Sequence, residues 1–131
     1  MNTKLNKIFA EISAGELIDK ITILEIKKVK IRNKDKVNNI EKELKSLNET
    51  LKKSILDTSP IKQHINSLKN LNLKLWDIED GKRLAEKKQD FGEKFIELAR
   101  NVYKINDERA RVKLLINESL GSSIKEVKSY E

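Results

Sequence analysis

The sequence predicts an all-α protein, a bundle of about four long antiparallel helices arranged as two helical hairpins. Two observations carry that expectation. Charged and apolar residues each make up 37% of the 131-residue chain, while glycine (four) and proline (one) are scarce. This balance suits helices with a wet face and leaves little turn chemistry for a sheet. Apolar residues also recur at spacings of three and four over most of the length, the period of a helix face.

Residues 1–12 alternate weakly around Leu5, Ile8, Phe9 and Ile12 and read as a short strand or a docking turn. At Ser13-Ala14-Gly15-Glu16 the pattern is a capping box, in which the serine hydroxyl accepts from the amide three residues on and the glutamate reaches back. A first helix is expected from there to about Arg32. Leu17, Ile21, Leu24 and Ile31 share one stripe, but Ile23 and Ile26 fall nearly opposite. Such a helix must be central in its bundle or pack against a second subunit, and the expectation is a homo-oligomer, a dimer first.

After the polar turn Asn33-Lys34-Asp35, the residues Val37, Ile40, Leu44, Leu47 and Leu51 form a coiled-coil seam that completes a first hairpin over residues 13–57. Ser59-Pro60 offers an N-cap followed by proline at the first helical position, where its missing amide costs nothing. The third helix then carries Ile61, Ile65, Leu68, Leu71, Leu75 and Ile78 and runs to about Gln89. Gly81 weakens it by about 1 kcal/mol relative to alanine and marks a place for a kink. Asp90-Phe91-Gly92-Glu93 repeats the capping logic, and Phe95, Leu98, Val102, Ile105 and Val112 mark a fourth helix ending at Leu120-Gly121, with glycine as the C-terminal cap. The second hairpin thus spans residues 60–120, and a tail over residues 121–131 has the length to dock on the bundle. One domain, residues 1–131, accommodates all of this.

The net charge of +7 is spread along the chain, with 13 basic against 9 acidic residues in 1–58 and 15 against 12 in 59–131. Neither half is a basic arm. With no cysteine, disulfides and thiolate metal sites are excluded. No apolar run approaches the roughly 20 residues of a membrane span, and Met1 to Ile12 lacks the apolar centre of a signal peptide, so a cytoplasmic protein is expected. Lys27, Lys28, Lys30, Arg32, Lys34 and Lys36 crowd the first hairpin tip. That tip reads as a solvated surface, because no aromatic residues interleave to stack bases, and nucleic acid is a disfavoured partner.

Candidate functional residues come from the inner faces of the second hairpin. Asn72, Glu79 and Arg83 lie in or beside the third helix's apolar stripe, and Asn106, Arg109 and Lys113 do the same on the fourth. If the chain turns back at Asp90, Arg109 meets Asn72, with Glu79 about a turn along. Glu25 and Lys28 of the first helix are possible contributors. This layer reads in two ways: as a paired network that fixes helix register, or as a pocket with Glu79 as base or metal ligand and Arg109 and Lys113 holding an anionic substrate. His64 has no second histidine to pair with. No cofactor is expected unless the site is an enzyme's, in which case Glu79, Asp80, Glu97 and Asp107 supply oxygens for magnesium. That pattern is loosely similar to the all-helical nucleotide pyrophosphohydrolases, whose spaced glutamate pairs are not reproduced here. Trp76 and Tyr103, beside these stripes, read as core or interface fillers.

Several stretches resemble a family of small, uncharacterised bacterial and phage helical proteins of unknown function. The matching segments are Ser13 to Lys27, Leu75 to Asp80, Phe95 to Asn117, Gly121-Ser122 and Lys128-Ser129-Tyr130. The third includes Asn106, Arg109 and Lys113. Members of that family are sometimes encoded near genes for surface-polysaccharide assembly, so the resemblance implies an accessory protein rather than a hydrolase, with no catalytic residue to carry over. The functional expectation is accordingly a self-associating, non-catalytic helical module. Its alternatives are a site for a phosphorylated small molecule or nucleotide between the third and fourth helices, and a weak nonspecific nucleic-acid binder.

Overall fold

The computed structural model describes residues 4–127. Four helices follow one another, α1 (Ala14–Lys30), α2 (Lys34–Ser54), α3 (Lys62–Lys87) and α4 (Glu93–Leu120), with a 3-10 turn, Ser59–Ile61, ahead of α3. Neighbours in sequence pair as hairpins, α1 with α2 and α3 with α4, while α1 also lies along both α3 and α4. The bundle is not a symmetric square. Because α2 packs along α1 alone among the helices, α1, α3 and α4 form a central triplet and α2 rests on the outer side of α1.

This arrangement accounts for the two apolar sides of α1. Ile26 is buried and Ile23 half-buried within the chain, because helices approach α1 from three directions. A central position thus accounts for much of the pattern within one chain.

Most helix ends follow local chemistry, with three corrections. Ser13 caps α1 through its hydroxyl, which accepts from the Glu16 amide at 3.1 Å, but the Glu16 carboxylate does not reach back and instead meets Lys113 of α4. Ser59 does not cap α3, which begins at Lys62 without a side-chain cap; instead Asp57 Oδ1 accepts from both the amide (2.9 Å) and the hydroxyl (2.6 Å) of Ser59 and orders the turn ahead of it. Pro60 therefore sits in the 3-10 turn, where its fixed φ is tolerated. Asp90 likewise accepts from the Gly92 amide at 3.2 Å and orders the hairpin turn, leaving α4 to begin at Glu93 without a side-chain cap. Gly121 closes α4 as expected, in the left-handed region at φ 65°, with the Ser122 amide donating to the Asn117 carbonyl.

Ile18, Ile61, Leu68 and Ile116 are the fully buried core, surrounded by Ala14, Leu51, Ile55, Ile65, Val112 and Leu120. That core sits where α1 begins and α4 ends. From Leu73 to Val112 no residue is fully buried, and toward its turn the α3–α4 hairpin closes along its own seam. Gly81 serves that seam: a Cβ there would lie 3.2 Å from Leu98 Cδ1, so the missing side chain lets the helices close.

The terminal segments part company. Residues 4–12 form no strand: they run without regular structure, Leu5 and Phe9 are 86% and 87% exposed, and only near α1 does the segment touch the rest, where Glu11 accepts from the Ser123 hydroxyl at 2.6 Å. The tail does dock, through Ser122 Oγ, which accepts from the Ala14 amide at 3.2 Å, and Glu126, 3.1 Å from Lys113 Nζ. Lys128-Ser129-Tyr130 lies outside the described residues. Among those described, no helix is long and apolar enough to cross a membrane.

Candidate functional site

The site begins with a close approach of backbones. A Cβ on Gly15 would lie 2.6 Å from the Lys113 carbonyl oxygen, so only glycine lets the first turn of α1 touch α4. The Gly15 amide, one of the donors a helix N-terminus leaves unpaired, gives its hydrogen to Asn117 Oδ1 at 2.6 Å. This contact sets the register in which α1 runs antiparallel to α4.

One turn further along, that register places Asp19 at the centre of the bundle, 3% exposed. Arg109 donates to Asp19 Oδ2 at 2.5 Å, and Asn72 donates to Asp19 Oδ1 at 2.9 Å. Arg109 also donates to Asn106 Oδ1 at 2.7 Å. The Thr22 hydroxyl, one turn on, donates to the Asp19 carbonyl at 2.8 Å and accepts from Asn72 at 2.9 Å. Lys113 Nζ stands 2.7 Å from Glu16 Oε2 and 3.8 Å from Asp19 Oδ2. Partial burial pushes the Glu16 carboxyl up, but the hydrogen-bonded Lys113 ammonium, helped by Lys20 and Arg109, outweighs it and holds the group below the ordinary carboxylate range. Burial likewise pulls the Lys113 ammonium down, and its bonds to Glu16 and Glu126, with the nearby Asp19 charge, raise it overall.

The sequence-derived candidates therefore separate into two layers. Asn72, Asn106, Arg109 and Lys113 come together around Asp19 and Glu16, which the sequence reading passed over. In that inner layer the cations already have carboxylate partners, so Arg109 and Lys113 do not face an anionic ligand with unmatched charge. Glu79 and Arg83 stay outside the network. Glu79 pairs with Lys82 at 3.6 Å, and both Glu79 and Arg83 line a surface groove. Lys28 turns away toward α2, 3.8 Å from Glu41, and Glu25 forms no hydrogen bond or ion pair among the described residues. Of the basic tip, Lys27 lines the groove, whereas Lys28, Lys30, Arg32, Lys34 and Lys36 are exposed around the α1–α2 connection.

The groove, about 240 Å³, lies between α1, α3 and α4. Its walls are Ile23, Ile26, Leu75 and Trp76, so the α1 face that looked unpartnered forms one side of it. Its inner end reaches Asn72 and Arg109, tying it to the buried network, and Lys27, Glu79 and Arg83 stand at its outer edge. Because Glu79 is matched by Lys82, Lys27 and Arg83 leave that edge positive. No serine, threonine, histidine or cysteine lines the groove. The acidic residues of the magnesium alternative do not converge, and among the described residues no three His, Asp or Glu side chains are grouped to hold a metal. The lining is equipped for binding, with an apolar slot and a cationic edge.

A family model described as "Family of unknown function (DUF6165)" matches residues 8–131. The chain belongs to this family. All four helices, the Asp19 network and the groove lie inside the DUF6165 match. Comparison with curated proteins and with solved structures finds no match.

Proposed function

We propose that the protein is a non-catalytic helical module that binds a small anionic molecule with an apolar body in the groove between α1, α3 and α4. The observation that carries this reading is the junction of an apolar slot with two basic side chains that have no carboxylate partner among the described residues, Lys27 and Arg83. Apolar walls reward burial of a ring or chain by about 25 cal/mol per Å², and a partly shielded cationic edge selects for negative charge. The Asp19 network serves the site as scaffold, fixing the separation of the three helices whose side chains form the walls.

A thermal-shift panel of inorganic phosphate, aromatic carboxylates, sugar phosphates and nucleoside monophosphates tests the proposal. Stabilisation by anions with an apolar portion, lost in a Lys27→Ala/Arg83→Ala variant, supports it, and no shift from any of them overturns it. Self-association remains a second reading on a different ground from α1. The face of α4 turned away from its neighbours carries Ile96 and Tyr103, each more than half exposed, with Leu114 further along. Sedimentation equilibrium separates the readings, since a monomer at high micromolar concentration removes the second and leaves the groove untouched.

A further inference from the structure

Along the outer side of α4, residues 96, 100, 103, 107, 110 and 114 follow one another at alternating steps of four and three, the spacing of a coiled-coil seam. The seam that α4 turns to the bundle is a different one, through Leu98, Val102, Ile105, Val112 and Ile116. On the outer seam Ile96 and Tyr103 are 53% and 54% exposed, Leu114 is 37% exposed, and Ala110 is half-buried. A surface hollow over residues 93–104 is lined by α4 side chains alone, so no other helix covers that stretch.

Charge says what fits this face. Between Ile96 and Leu114, the charged residues on the outward side of α4 are Arg100, Lys104 and Arg111 against Glu97, Asp107 and Glu108. The strip is therefore neutral on a chain of net charge +7, and two copies that repel one another elsewhere do not do so here. Their order matters as much as their balance. About a two-fold axis crossing α4 level with residue 105, facing residue numbers sum to about 210. Ile96 then meets the partner's Leu114, the Tyr103 hydroxyl donates to the partner's Asp107, and Glu97 lies by the partner's Arg111. Because such a contact is isologous, each pairing occurs twice. Lys104, nearest the axis, faces its own counterpart, an unfavourable contact that the partner's Asp107 and Glu108 beside it offset. A parallel pairing would instead set Glu97, Arg100 and Asp107 each against itself, which like charge disfavours.

Resting on the self-association reading of the α4 face, we infer that a second copy of this chain docks on it, α4 antiparallel to α4. None of the seam residues lines the groove, so the two sites are separate.

Sedimentation equilibrium of the full chain at high micromolar concentration is the first arm of the test. A dimer is expected, weakened at least tenfold in Tyr103→Glu, an exposed substitution whose fold circular dichroism checks. The second arm uses the absence of cysteine, which makes single-cysteine variants specific. A short bis-maleimide should cross-link a mixture of Glu97→Cys and Arg111→Cys chains but neither variant alone, since like positions lie about 21 Å apart along an antiparallel pair at 1.5 Å per residue. A monomer throughout overturns both the docking and the self-association reading. A dimer indifferent to Tyr103→Glu overturns this face and leaves self-association standing. Cross-linking of each variant with itself, or none in the mixture, overturns the antiparallel arrangement.

Discussion

Replacing Asp19 with asparagine removes one charge from the middle of the bundle while leaving its shape nearly unchanged. The carboxylate is 3% exposed, with Arg109 at 2.5 Å, Asn72 at 2.9 Å and Lys113 at 3.8 Å. Lys113 keeps Glu16 and Glu126 after the change, but Arg109 keeps only the neutral Asn106. Breaking a buried pair by removing one partner costs about 3–5 kcal/mol. The Arg109 side chain retains 17% exposure, so water can solvate part of the stranded guanidinium, which places Asp19→Asn at the lower end, about 3 kcal/mol. Arg109→Met strands the more deeply buried partner and should cost about 4 kcal/mol. The double variant strands neither charge, and its loss should fall short of the sum by about 2 kcal/mol or more. Urea unfolding followed by far-ultraviolet circular dichroism measures all three, and Asp19→Asn should lower Tm by about 10 °C for a chain of this size. Losses below about 1 kcal/mol with no coupling between the sites would show that the network is not what holds α1 against α3 and α4.

Gly15→Ala forces a methyl group against the Lys113 carbonyl oxygen, 2.6 Å away, and should destabilise by about 2–3 kcal/mol in the same urea assay. By contrast, Gly81→Ala meets only a flexible leucine methyl at 3.2 Å and gains helix propensity, so its effect should stay within about 1 kcal/mol of zero. The Glu16–Lys113 pair gives stability a defined pH window. With the glutamate's pKa lowered from 4.5 and the lysine's raised from 10.5, the contribution is complete between those values. It is lost in acid as pH falls through the lowered Glu16 value, and in alkali as pH rises through the raised Lys113 value. Urea midpoints across pH should show the acid limb flattened in Glu16→Gln; an unchanged limb would mean that other carboxylates carry it.

How much of this was legible beforehand depends on whether the signal was local. Ser13, Gly121 and the apolar spacings act within one or two turns of chain, and they located all four helices. Caps that depend on loop geometry misled, because Asp57 and Asp90 order the turns that Ser59 and the Asp90 segment were expected to cap. The facing of Asn72 and Arg109 followed from hairpin arithmetic. Asp19 escaped because a wheel assumes one wet side, and α1 has helices on three. A usable signal was present: Asp19 precedes Ile23 by four residues and Ile26 by seven, placing it on the very face that looked unpartnered. Lys28 failed for the converse reason, lying on the side that α2 covers. The groove itself, an intersection of three helices, leaves no trace in any one segment.

The most direct test of the groove as the binding site is a two-dimensional amide spectrum of the labelled chain titrated with uridine monophosphate and, separately, phenyl phosphate. Binding in the groove predicts shifts at the single indole N–H of Trp76 and at the amides of Ile23, Ile26 and Lys27, with Lys30, Arg32, Lys34 and Lys36 undisturbed. Shifts centred on those exposed tip residues, or a spectrum unchanged by either compound at millimolar concentration, would contradict it.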